Sequence, residues 1–271
     1  MIRRCVEAAA LAGATELVVV DDGSTDSSPA EAESAGAVVV RSSRKGFAAA
    51  VNAGVRATTG EVVLILNSDC FVEQDALERL AGPLARDDQL GICGAALLEL
   101  DGSVSKSHTP GLTPWLAIKV LLTVNPFTER DSREGLEAVD TVPLACAAIR
   151  RSTWDEVGGL DERFFFYFED QDFCRRLRQL GRGVAVCWDA KAVHVGGASS
   201  VTRDEQHWFL MYVRSRTRYL RKHFPFGWLA FAAMWVPVAI AQTTVWTFRT
   251  RPGSDAWARA WLRATRLGIS G

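Results

Sequence analysis

The sequence predicts an α/β fold. Short apolar runs alternate with helical patterns through the first two thirds of the chain, and two of those runs end in acidic turns. Glu16 to Val20 (E-L-V-V-V) and Glu61 to Leu66 (E-V-V-L-I-L) show no polar alternation, as expected of strands covered on both faces in a mostly parallel sheet. Ligands of such sheets sit beyond the carboxyl ends of the strands. Asp21-Asp22-Gly23-Ser24-Thr25-Asp26 and Asn67-Ser68-Asp69 fall at those positions.

Taken in order, residues to about Leu11 read as a helix that Gly13 breaks. After the first strand, Ser24 or Thr25 is expected to cap a helix reaching Ala35, and Gly36 releases the chain into a strand at Ala37 to Val40. Arg41 to Lys45 form a basic loop. Gly46 opens a helix of small residues (Ala48, Ala49, Ala50, Ala53) that carries Asn52, with Gly60 closing it, so a ligand or a neighbouring backbone can approach closely. A helix near Gln74 to Arg86, a strand near Leu90 to Leu98 and a turn at Asp101-Gly102 continue the alternation. Ser103 to Asp140 loosens into Ser, Thr and Pro, with an apolar stretch at Trp115 to Val124, and is expected to face substrate. Order returns at Val142 to Arg150 and a helix end near Trp154 to Gly159. A helix stopping at Gly181, a strand at Val184 to Trp188 and Val193-His194-Val195-Gly196-Gly197 follow.

The chain has 271 residues, enough to bury a substantial core. Lys and Arg total 31 against 32 Asp and Glu, so no overall field argues for nucleic-acid binding. Cations dominate only from Arg175 onward, which favours an anionic surface there. Six cysteines lie scattered without a C-x-x-C pair or zinc-like spacing and read as buried thiols in a reducing compartment. Met1-Ile2-Arg3-Arg4 leads into a stretch too weakly apolar for a signal-peptide core, so a cytosolic catalytic part is expected.

Phe164 to Phe168 are five consecutive aromatics that run into Glu169, Asp170 and Asp172 at a helix start. Acids there cap N–H groups and complement the helix dipole; the same placement suits catalysis, with the aromatics as a platform for a sugar or lipid-linked ligand. Asp69 offers a hard oxygen for Mg²⁺ or Mn²⁺ carrying a diphosphate, or serves as an ordinary turn residue. His194, between two valines, fits a core histidine as well as a ligand. Asp22 either accepts the N–H of a pyrimidine or stabilises the turn with Gly23.

Together these motifs, in this order, resemble the family 2 glycosyltransferases of GT-A fold, over most of residues 1 to 224. The resemblance implies a GT-A-type, Rossmann-like sheet with flanking helices. It implies that Asp21, Asp22 and Ser24 belong to the nucleotide-binding turn, that Gly46 and Asn52 belong to its glycine and asparagine segment, and that Asn67, Ser68 and Asp69 stand at the metal motif. Asn67 replaces the first acid of that motif. It further implies that Asp170 is the general base, with Glu169, Asp172, Tyr167 and Phe168 as acceptor or support residues, and that Asp69 and His194 bind Mg²⁺ or Mn²⁺. The reaction implied is inverting transfer from a nucleotide-diphosphate sugar, with Asp170 ionised but made less basic by the helix dipole. Asp101-Gly102-Ser103-Val104, the Trp154 to Phe168 run and Gly196-Gly197-Ala198-Ser199 resemble the rhamnosyltransferase-type branch, which implies lipid-diphosphate-linked or glycan acceptors in cell-wall or surface-polysaccharide assembly. Two departures accompany the resemblance. Met1 falls where the helix after the family's first strand should be, so that strand is expected upstream, and Arg44 stands where the family has Asn. A catalytically silent nucleotide-sugar-binding or scaffold subunit and a nucleotidyltransferase are the alternative readings.

Residues 225–271 form the expected second part, a membrane-associated helical tail behind a domain at 1–224. Phe226 to Phe248 is uncharged and flanked by Arg221-Lys222 and by Arg249 and Arg251, while Trp257 to Leu267 is amphipathic. Pro237, Gln242 and the threonines make the uncharged run a mediocre span. Its expected setting is the cytoplasmic face of the cell membrane; packing on the domain or on a partner in a homo-oligomer is the alternative. Aromatics interleave with arginines from Trp208 to Lys222 without any nucleic-acid motif, so a membrane surface is the expected partner there and nucleic acid is not.

Overall fold

The computed structural model describes residues 1–122, 133–196, 205–248 and 254–270. Gly197, Ala198 and Ser199 of the last motif, and Arg249 and Arg251 beside the uncharged run, lie outside the described residues. The chain divides into two compact units. One comprises 1–111, 129–164 and 169–199; the other comprises 112–128, 165–168 and 200–271.

The first unit is a mixed α/β layer structure. It begins with α1 (Ile2–Leu11), β1 (Val18–Asp21), α2 (Ser28–Ser34) and β2 (Val38–Arg41), and β1 pairs β2 in parallel. Next come α3 (Phe47–Arg56), β3 (Val62–Leu66), β4 (Cys70–Val72), α4 (Ala76–Arg86) and β5 (Leu90–Leu98). After α5 (Pro114–Leu122), which belongs to the other unit, β6 (Leu136–Ala138), β7 (Cys146–Arg150), α6 (Arg151–Val157), α7 (Glu169–Gln179) and β8 (Gly183–His194) complete it. The larger sheet has the order β3-β7-β5-β8-β4, with β6 also on β8. β3, β5 and β8 run in one direction; β7 lies antiparallel between β3 and β5, and the short β4 and β6 oppose β8. The α/β expectation therefore holds, with one reversed strand inside the sheet.

Apolar residues of both sheet faces are covered. Ile92, Ile149, Val186 and Phe173 lie in one core, and Leu80, Leu84, Cys93 and Cys146 in the other. All six cysteines are buried free thiols, as their scatter suggested. Three elements depart from expectation. The second helix starts two or three residues late, with Ser27 rather than Ser24 or Thr25 at its N-cap and Pro29 in its first turn. The strand expected at Val184 to Trp188 continues to His194, across a register shift between Cys187 and Lys191 opposite Ala95 and Ala96. β4 and β6, three residues each, were not apparent from periodicity.

The second unit is helical, with α5, α8 (Glu205–His223), α9 (Gly227–Thr247) and α10 (Ser254–Ser270). It takes in α8 and the Phe165–Phe168 segment, both ahead of the boundary expected at residue 225. Gly227–Val245 is 19 residues of mean hydropathy 1.5, long and apolar enough to cross a membrane. Only 17% of the most apolar stretch is covered by protein, unlike the core helix of a globular domain. Thr243, Thr244 and Thr247 donate their hydroxyls to the carbonyls of Ala239, Ile240 and Thr243, so their polarity is satisfied inside the helix.

Candidate active site

The acidic turn after β1 is tied to the start of α3. Both carboxylate oxygens of Asp22 accept backbone N–H groups there, from Lys45 at 3.0 Å and from Gly46 at 2.8 Å. Asp21 closes the turn by accepting the Ser24 N–H at 2.8 Å, and the Ser24 hydroxyl and amide hold its carboxyl below the usual range. Arg44 adopts a left-handed backbone (φ 52°), donates to the Gly23 carbonyl at 3.2 Å, and lays its side chain where a Cβ on Gly23 would sit. An Asn takes that backbone more readily, which gives a structural reason for the residue expected there.

Beside this turn lies a pocket of about 320 Å³ lined by Arg41, Ser42, Ser43, Lys45, Arg56 and Glu162, with Ala49 and Ala53 as its floor. Arg56 and Glu162, 4.0 Å apart, were not singled out from the sequence. Asn52 on α3 helps to hold the loop that carries Glu162. The Asn52 amide donates to the Leu160 carbonyl at 2.9 Å and to Glu162 Oε1 at 3.0 Å, and its oxygen accepts the Leu160 N–H at 2.9 Å. Buried Asn52 thus ties α3 to the 158–162 turn. Asp172 secures the same turn from the other side. Fully buried, it pairs with Arg176 at 2.8 Å, and Arg176 donates to the carbonyls of Val157 and Gly159. Of the residues expected at the acceptor side, Asp172 is thus a support.

Asp69 and His194 come together. The turn after β3 closes with Cys70 N–H donating to the Asn67 carbonyl at 3.0 Å, leaving Ser68 exposed and Asp69 buried. β4 then pairs antiparallel with the end of β8, opposing Cys70 to His194, and Val195 N–H donates to the Asp69 carbonyl at 3.0 Å. His194 Nε2 lies 3.3 Å from Asp69 Oδ1. An imidazole and a carboxylate at this spacing suit a divalent cation that takes its remaining ligands from phosphate and water. Among the described residues no third His, Cys, Asp or Glu completes a cluster. Asn67, in place of an acid, is consistent with a site of two protein ligands.

Glu169 and Asp170 open α7. Glu169 is buried, and its Oε2 has no hydrogen-bond partner. Burial, and then the adjacent Asp170 charge, push its carboxyl up to about 8. Burial raises Asp170 to about 6, opposed by the Gln171 N–H that its Oδ1 accepts at 2.7 Å. The expectation that the helix start makes Asp170 less basic is therefore corrected, because loss of solvent outweighs the dipole. Both carboxyls of the pair are thus raised, Glu169 further than Asp170.

Tyr167 and Phe168, just before the pair, both have left-handed backbones (φ 69° and 68°), a strain of about 1–3 kcal/mol each. Within the helical unit the Phe168 ring packs on Tyr212 and Tyr219, and Ser215 donates its hydroxyl to the Phe166 carbonyl at 2.8 Å. Phe168 is buried, so Tyr167 is the more open of the two expected acceptor-facing aromatics.

Comparison with known proteins adds an independent line. Glycosyl transferase family 2 matches residues 1–158. A low-salt glycan biosynthesis hexosyltransferase, Agl10 of Haloferax volcanii, is 28% identical over 65% of this chain and 56% of its own length. The N-acetylglucosaminyl-diphospho-decaprenol L-rhamnosyltransferase of Mycobacterium tuberculosis is 30% identical over 64% of this chain and 65% of its own. The chain thus spans between about half and two thirds of these relatives. Among solved structures, the mannosyltransferase PcManGT of Pyrobaculum calidifontis, in complex with GDP-Man and Mn²⁺, superposes with a TM-score of 0.54 at 18% identity, covering 93% of this chain and 76% of that one. The fold is GT-A.

Proposed function

The chain belongs to glycosyl transferase family 2, and we propose that it moves rhamnose from a nucleotide-diphosphate sugar to a hydroxyl of a polyprenyl-diphosphate-linked or glycan acceptor, with inversion, in cell-wall or surface-polysaccharide assembly. The observation that carries the transferase reading is the meeting of Asp69 and His194 at 3.3 Å, two residues far apart in sequence. The sugar and acceptor rest on similarity to the mycobacterial rhamnosyltransferase.

In this reading Asp21, Asp22, Ser24 and Gly46 shape the nucleotide turn, with Asn67 and Ser68 on the donor side of the metal turn. Arg41, Lys45 and Arg56 supply positive charge beside them. Asp69 and His194 would hold Mg²⁺ or Mn²⁺, which when bound stabilises charge on the departing diphosphate. Asp170 takes the proton of the acceptor hydroxyl as that oxygen attacks the anomeric carbon opposite the leaving nucleotide diphosphate, so the configuration inverts. Glu169, protonated near neutrality, keeps a second negative charge away from the attacking oxygen. Asn52, Asp172 and Arg176 hold the turn that carries Glu162.

We assign α9 to the membrane, which would bring the site to lipid-linked acceptors on the cytoplasmic face. Carbonate extraction tests this: retention in the pellet is expected, and full release refutes a spanning α9. The activity test is transfer with Mn²⁺ and a panel of nucleotide sugars, dTDP-rhamnose included, after a thermal-shift donor screen. Transfer from at least one donor is expected; neither binding nor transfer from any refutes the proposal.

A further inference from the structure

Arg216 sits in the interior of the helical unit with 5% of its surface exposed. Its guanidinium lies 4.2 Å from the Trp235 ring centroid and 4.8 Å from that of Phe231, with Tyr212 at 5.6 Å. These rings offset part of the cost of burying the charge through cation–π attraction. They accept no conventional N–H hydrogen bond, and Nε and Nη2 are both buried without a hydrogen-bond partner among the described residues. Nε–H and Nη2–H form one edge of the guanidinium, the fork that matches two oxygens of a phosphate. Burial pushes its pKa down to about 10, which leaves it charged at neutral pH.

An unpaired buried cation is strongly unfavourable unless something completes it. The helical unit has little to offer, since its only carboxylates in sequence are Asp204, Glu205 and Asp255, while α8 alone adds Arg214, Arg218, Arg221 and Lys222 around Arg216. Among the described residues no oxyanion completes the Nε and Nη2 edge of Arg216. The neighbouring helix α9 exposes Leu229, Met234, Ile240 and Val245, which suits hydrocarbon. An anionic head beside an apolar tail fits both features.

We propose that Arg216 is a binding residue for the phosphate or diphosphate of a membrane lipid, its Nε/Nη2 edge gripping two oxyanion atoms while Phe231 and Trp235 hold the guanidinium plane. The identification of that lipid with the sugar acceptor rests on the transferase reading; the phosphate site itself does not.

The test uses the full chain in a neutral detergent, without donor, titrated by calorimetry with farnesyl diphosphate, with dihexanoyl phosphatidylglycerol, and with inorganic phosphate. Saturable binding of at least one of the two lipids is expected, tighter than inorganic phosphate. Preference for farnesyl diphosphate identifies the acceptor, and preference for phosphatidylglycerol identifies bulk phospholipid. Arg216→Lys keeps the charge but not the fork, and Arg216→Met keeps the volume; both should weaken binding about tenfold or more, since a charge-assisted bidentate contact is lost. Arg214→Gln, at an exposed position, should bind as the native chain does. Without ligand, Arg216→Met should melt no lower than native, because it removes an uncompensated buried charge. Native affinity in both Arg216 variants, or no saturable binding of either lipid, overturns the proposal. Because donor is absent, a failed transferase assay leaves this result standing.

Discussion

Replacing Asn52 with Leu keeps the volume and removes three hydrogen bonds to the 158–162 turn. Glu162 is half exposed and regains water, but the N–H and carbonyl of buried Leu160 are left without partners. Each stranded group costs about 1–3 kcal/mol, so the variant should lose about 2–6 kcal/mol. For a chain of this size that is a fall in Tm of about 5–15 °C. Urea unfolding followed by circular dichroism reads it directly, and donor affinity measured well below the melting range should stay near native. A stability change under about 0.5 kcal/mol would refute this tie. Lost donor affinity at full stability would place Asn52 on the donor instead.

Glu169→Gln tests which carboxyl carries the proton. Glu169 is raised in the folded state from 4.5 to about 8, so its contribution to stability is fully present below about pH 4.5 and is lost as pH rises through about 8. The Gln variant should therefore gain on native over that window in pH-dependent melts. Its activity should keep an acid limb near pH 6, belonging to Asp170, and a limb that moves with the substitution reverses the two roles. His194→Gln should raise the Mn²⁺ concentration needed for half-maximal transfer by about tenfold or more, and chelation should abolish transfer by the native chain. Unchanged metal dependence would remove His194 from the site.

Much of this was legible because strand ends and helix starts announce themselves chemically. Asp21, Asp22, Asp69, Asp170 and His194 stand out beside apolar runs, and their expected roles come from the family resemblance. Their geometry was not legible, because it depends on long-range pairing. Asp69 meets His194 through β4, a strand of three residues, and through a β8 that continues past a bulge at Cys187 where Asp189 and Lys191 interrupt the apolar pattern. The bonds that Asn52 and Arg176, the partner of Asp172, make to the 157–162 segment could not be read from the sequence, because that segment is distant from Asn52 along the chain. Aromatic residues have no preference for left-handed backbone, so the strain at Tyr167 and Phe168 left no trace in the sequence. R-S-R-T-R belongs to the stretch expected at a membrane surface, yet its central Arg216 is buried against Phe231 and Trp235 from another helix.

The central claim is that an ionised Asp170 takes the acceptor proton. Asp170→Asn has nearly the same shape and cannot take it, so the measurement is the rate of sugar transfer at saturating donor and acceptor, with donor affinity determined on the same sample. A fall in kcat of about 10²–10⁴-fold with donor affinity unchanged is the expected result. A kcat within a few-fold of native, at equal folding, would contradict it.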